Sequence, residues 1–199
     1  MNKKKKFNLK KHYRSSWNYI KECRHFLYYA FILFFVFFLI GFFIPAHEYI
    51  HDMISSFLME LIEKTQGLSY GGLLFYIFFN NIQSSFFGMI MGIFAGIFPM
   101  ISILANGYIL GFVSALSVKS EGILVLWRIF PHGIFELPAL FISLGLGMKL
   151  GSILFEKSKN KMNLIKENLK NSLEVFVFIV MPLLILATII ETSLIFIAG

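Results

Sequence analysis

From Phe26 to Ala46 the chain runs almost purely apolar, without one charged residue. A helix needs about 20 such residues to cross a hydrocarbon layer of about 30 Å. Inside that layer no water can satisfy backbone N–H and C=O groups, so the segment must be a helix. It is too long for the apolar part of a signal peptide, and no small-residue cleavage site follows it. It is therefore expected to be an uncleaved first span.

Composition extends this reading to the whole chain. Of 199 residues, 57% are hydrophobic and only 15% charged, and the mean hydropathy is +0.74. A soluble core of this length could not hide so much apolar surface, whereas lipid removes the problem. The expected fold class is all-α, a polytopic transmembrane helix bundle. The single cysteine, Cys23, excludes an intrachain disulfide framework. It is expected at the cytoplasmic foot of the first span, where it stays reduced.

The pattern divides the chain into a basic arm over 1–25 and a membrane domain over 26–199. Spans are expected over about 26–46, 73–98, 101–118, 122–150 and 174–197. The arm carries Lys3 to Lys6, Lys10, Lys11, Arg14, Lys21 and Arg24. Over 47–71 the chain turns polar and acidic, with Ile54, Phe57, Leu58, Leu61 and Ile62 at helical spacing. That suggests an amphipathic helix on the outer membrane face. Pro99 marks a tight turn between the second and third spans, and 149–171 reads as a basic loop. The fifth span contains Pro182.

The net charge of +7 does not call for a nucleic acid, because the cations flank apolar spans. Lys and Arg collect in short cytoplasmic loops. With five spans and the N-terminus inside, the arm and the basic loop hold 15 of the 18 Lys and Arg residues. The C-terminus then falls outside. The arm is expected to attract anionic lipid head groups.

Polar groups in hydrocarbon are costly and mark cavities or partner helices. On the second span Asn80, Asn81 and Gln83 precede Ser84, Gly88, Gly92 and Gly96, which are spaced by four. Small residues at that spacing let another helix approach closely. Asn106, Gly107 and Gly111 form a similar set on the third span. The densest set is in the fourth region, where Arg128, His132 and Glu136 are also spaced by four. Pro131, Gly133 and Pro138 predict a kink or a re-entrant break there. The network either neutralises itself and fixes the bend or forms a proton, ion, substrate or metal site. Glu191 is a further isolated carboxylate in the last span.

His47-Glu48-Tyr49-Ile50-His51 matches the H-E-x-x-H pattern of zinc proteases. On a helix His47 and His51 would share a face, with Glu48 as general base. The metzincin continuation is missing, since Ile54 and Phe57 stand where its Gly and third His belong. No cofactor is expected.

The segment Pro131-His-Gly-Ile-Phe-Glu-Leu-Pro-Ala139 resembles the hallmark of the stage II sporulation protein M family. Asn81, Gly92, the Asn106-Gly107…Gly111 set and Pro182…Glu191 extend the resemblance from about Asn80 to Glu191. It implies an integral membrane protein of about five spans that is not an enzyme. The named member of that family partners cell-wall hydrolases in a membrane assembly. The resemblance also implies that His132 and Glu136 are the residues that matter, with Asn81 and Asn106 as hydrogen-bond partners of the bend.

Three functions follow. The first is a non-catalytic scaffold that partners other envelope proteins, among them cell-wall hydrolases. The second is a transporter or channel built on the His132–Glu136 break, with a homo-oligomer supplying the pore. The third is a zinc protease using His47, Glu48 and His51.

Overall fold

The computed structural model describes residues 8–126, 133–158 and 160–198, and every element among them is helical. Five helices are long and apolar enough to cross a membrane: Arg24–Phe43, Tyr70–Ile93, Ile97–Glu121, Gly133–Phe155 and Lys161–Ile197. They run alternately up and down. The basic N-terminal segment, the turn after Ile93 and the connection after Phe155 therefore share one end. The opposite end carries the segment between the first two spans and the chain's last turn.

Helix α1 (Leu9–Glu22) opens at Asn8, whose side chain accepts the Lys11 N–H at 3.2 Å. The arm is thus an ordered helix where it is described. Helix α2 (Arg24–Phe43) follows after Cys23 alone. Cys23 sits at the foot of this span, only 1% exposed, and burial pushes its thiol up to about 11. Helix α3 (Glu48–Thr65) is the expected amphipathic segment. It buries Ile54 and leaves Tyr49, Met53, Phe57, Met59 and Ile62 exposed.

Helix α4 (Tyr70–Ile90) continues as a 3-10 turn over Met91–Ile93. The reversal into α5 (Ile97–Glu121) lies at Phe94–Gly96, not at Pro99. Gly96 takes the left-handed conformation, φ 72°, that ends the turn. Pro99 falls in the first turn of α5, where its missing N–H would have no partner anyway. Its sequence signal was correct for a boundary and displaced by three residues.

Within the fourth region expected over 122–150, a 3-10 turn covers Ile123–Val125 and helix α6 covers Gly133–Ser152. The break expected at Pro131, together with Arg128 and His132, lies outside the described residues. Pro138 lies inside α6.

The basic loop expected over 149–171 is largely helical. Helix α7 (Lys161–Val175) joins α8 (Met181–Ala198) through a π-helical turn at Phe176–Val180. Pro182 lacks an N–H and its ring crowds the Phe178 carbonyl four residues back. The widened turn accommodates both. The joined helix is 37 residues long, about 55 Å at ~1.5 Å per residue, against about 30 Å of hydrocarbon. The surplus is the polar α7, which packs against α1. His12 Nδ1 lies 3.0 Å from Glu174 Oε1, and Tyr19 Oη donates to Asn168 Oδ1 at 2.7 Å.

Two glycine seams set the packing. Between α2 and α5, a Cβ on Gly107 would lie 2.5 Å from the Phe34 carbonyl oxygen, and one on Gly111 or Gly41 would strike backbone of the facing helix. Between α4 and α6, Gly88 faces Leu144, while Gly92 and Gly96 face Gly147, Met148 and Gly151. Ser84, spaced with these glycines, is exposed and outside the seam. The partners Gly41, Gly147 and Gly151 escaped the sequence reading, although Gly147 and Gly151 have the same four-residue spacing. A core of Cys23, Met89, Leu146, Val180 and Leu184 fills the basic end. A second, of Ala30, Phe34, Ile103, Leu140 and Leu144, fills the middle.

Gly92→Ala should therefore cost about 1–3 kcal/mol through overpacking. Gly71→Ala, where nothing lies within 4 Å of an added Cβ, should stay within about 0.5 kcal/mol of the parent. Thermal unfolding in mild detergent measures both.

Candidate functional site

Polar residues from four spans, Asn80, Asn81, Asn106, Glu136 and Glu191, line the half of the bundle opposite the basic arm, beneath α3. Two cavities open there. The first, of about 590 Å³, lies between α3, α4 and α8, with Thr65, Gln66, Asn80, Asn81 and Glu191 on its wall. The second, of about 390 Å³, lies between α2, α3, α5, α6 and α8, with Asn106, Gly133, Glu136 and Glu191 on its wall. Glu191 lines both.

Helix α3 forms the roof. Leu61 and Thr65 cover the first cavity and Leu58 the second. The His51 ring meets Phe112 of α5 edge-on, centroids 5.5 Å apart. At the far side Tyr70 Oη and Ser193 Oγ are 3.1 Å apart, tying the start of α4 to the end of α8.

Glu136 stands in the first turn of α6. Glu191 lines the same cavity. Two carboxyl groups so placed repel when both are ionised, and a wall of amides and apolar groups screens that repulsion poorly. Asn81 Nδ2 is buried with no hydrogen-bond partner, a cost that a bound polar group would relieve.

Asn106 behaves differently from its expected role. Its Nδ2 donates to the Ser102 carbonyl oxygen at 2.8 Å and to Ser102 Oγ at 3.3 Å, within its own helix. It lines the second cavity beside Glu136 rather than bonding across to the neighbouring spans. Of the expected polar set, Asn81, Asn106, Glu136 and Glu191 thus meet at this end, Glu191 from the last span joining the other three. Thr65 and Gln66 also reach the first cavity. Nothing in the sequence distinguishes them from other polar residues of an interfacial helix.

His47, Glu48 and His51 begin α3. His47 caps it, its Nδ1 accepting the Tyr49 N–H at 3.4 Å. His51 Nδ1 lies 3.3 Å from Asp52 Oδ1. Among the described residues no group of three or more His, Cys, Asp and Glu could hold a metal ion.

A family model described as Stage II sporulation protein M matches residues 30–194. No curated protein and no solved structure matches the chain. The match reaches into all five spans and covers the middle three whole.

If the cavities hold water, Glu191→Cys should react readily with a hydrophilic methanethiosulfonate reagent. Cys23 supplies an internal control. Its buried thiol, pushed up to about 11, should stay unlabelled near pH 7 because the thiolate is the reacting form. Equal labelling of parent and variant would show that the cavities are closed to water.

Proposed function

This chain belongs to the stage II sporulation protein M family, and on that premise we propose that it is a non-enzymatic component of an envelope membrane complex. One observation carries this reading. Asn80, Gln83 and Ser84 are exposed on one face of α4, at the centre of the span Tyr70–Ile93. Lipid tails offer such groups no hydrogen bond, so a face like this is stable when another helix covers it. A groove of about 560 Å³ runs beside Gln83, between Phe79, Phe87 and Val177. Its apolar walls suit a transmembrane helix, with Gln83 and the neighbouring Asn80 supplying the hydrogen bonds that choose it.

The basic end, with α1 and α7, faces the cytoplasm in this reading, and α3 with the two cavities faces outward. The charge distribution supports that orientation. Partners acting on the cell wall would then meet α3. Reaction of Glu191→Cys with an impermeant reagent on intact cells checks the orientation.

Asn80→Leu with Gln83→Leu preserves an apolar span and removes its hydrogen-bonding groups. Affinity recovery in mild detergent should retrieve membrane partners with the parent chain and lose most of them with this variant. Equal recovery by both, or a parent chain that is monomeric and alone, would remove the proposal.

A second reading, passage of a cation or small polar solute, draws on Glu191 lining both cavities. A cation flux in proteoliposomes that disappears with Glu191→Gln would establish it. Absence of flux for the parent chain across monovalent and divalent cations would dismiss cation passage.

A further inference from the structure

The face of α1 that turns away from α7 has an order of its own. At about 100° per residue, the helix surface divides into three adjoining strips. The first, with His12, Ser16 and Tyr19, packs against the end of the bundle through Glu174 and Asn168. Beside it runs an apolar strip of Leu9, Tyr13 and Trp17, which are 57%, 48% and 52% exposed. Beside that runs a basic strip of Lys10, Arg14 and Lys21, all exposed.

An exposed Leu–Tyr–Trp strip has no account in a helix surrounded by water. It has one at a membrane boundary, where amphipathic rings sit at head-group level and neighbouring cations reach phosphate. The structure sets α1 at that level. Its C-terminal end is one residue from the start of the first span. The Tyr13 ring lies 6.3 Å from that of Phe178, within the π-helical turn that leads into the last span. The contacts of His12 and Tyr19 with α7 fix the rotation of the helix, so the apolar strip has a set direction.

We propose that α1 is an interfacial lipid-binding helix, with Leu9, Tyr13 and Trp17 set among the upper acyl chains and Lys10, Arg14 and Lys21 bound to anionic phospholipid head groups of the same leaflet. The occupant is lipid rather than an acidic protein, because the basic strip adjoins an apolar strip that must also be covered. A bilayer surface supplies both coverings at once. The proposal is independent of the partner face on α4.

Trp17 is the reporter. In full-length protein with Trp127→Phe it is the sole tryptophan, since the chain has two. The protein is reconstituted in vesicles of phosphatidylcholine and phosphatidylglycerol, with either lipid brominated high on its acyl chains. Trp17 should be quenched by both, and brominated phosphatidylglycerol should compete for the site several-fold better. Joint replacement Lys10→Gln, Arg14→Gln and Lys21→Gln should reduce that preference by at least about fivefold, the effect of roughly one surface cation. The same preference in the unsubstituted protein should collapse between about 0.1 M and about 1 M salt, as the screening length falls from about 10 Å to about 3 Å. That arm needs no altered protein and stands if the triple variant folds poorly. Unquenched Trp17 would mean that α1 is covered by protein, and quenching without anionic preference would mean that its charge does not select lipid. Either result overturns the proposal.

Discussion

Hydrocarbon accepts a polypeptide backbone only when its N–H and C=O groups bond to each other, and this constraint organises the rest of the chain. It makes each apolar stretch a helix, and it removes the hydrophobic effect as a force between helices, since lipid tails are as apolar as leucine. Association must then come from close contact. The glycines supply that contact in two places. Gly107 and Gly111 bring α5 onto the backbone of α2, and Gly88, Gly92 and Gly96 bring α4 onto Leu144, Gly147 and Gly151 of α6. With the two pairs locked, the last helix closes the bundle, burying Val180 and Leu184 beside Cys23 and Leu146.

The seams also explain where the cavities lie. Tight approach along α4 and α6 is confined to the half of the bundle near the basic end, from Gly88 and Leu144 onward. Toward the other end the interior widens and receives Asn81, Glu136 and Glu191. Helix α3 lies across this wider end and closes it with Leu58 and Leu61. Beside α8 that end is hollow and polar, while the α2–α5 seam stays tight there through Gly111 and Gly41. Family membership accords with a membrane bundle, and the hollow end and the exposed polar face of α4 are the parts available for interaction.

Much of this was legible in the residues. Long charge-free runs announced the spans, and the i, i+4 glycines announced the seam on α4. The errors have physical causes. The run over 149–171 looked like a loop because it is basic, yet Leu164, Ile165, Leu169 and Leu173 recur at helical spacing and α7 forms on α1. Pro99 looked like a turn because proline interrupts helices, yet in a first helical turn it interrupts nothing. Asn106 looked like a cross-helix bond, but its nearest acceptor is the Ser102 carbonyl one turn below.

By itself the sequence determined the lipid environment, the helical class, the number of spans and the family, because hydropathy, length and a local motif are properties of contiguous residues. Only the tertiary structure decided that Glu136 and Glu191, far apart in the chain, share a cavity wall. Only it showed that Gly147 and Gly151 complete the seam begun by Gly92, and that Leu9, Tyr13 and Trp17 remain uncovered. A side chain's partners across the bundle depend on the rotation of each helix about its axis. That rotation is set by the close packing of all five together, which no single stretch of sequence contains.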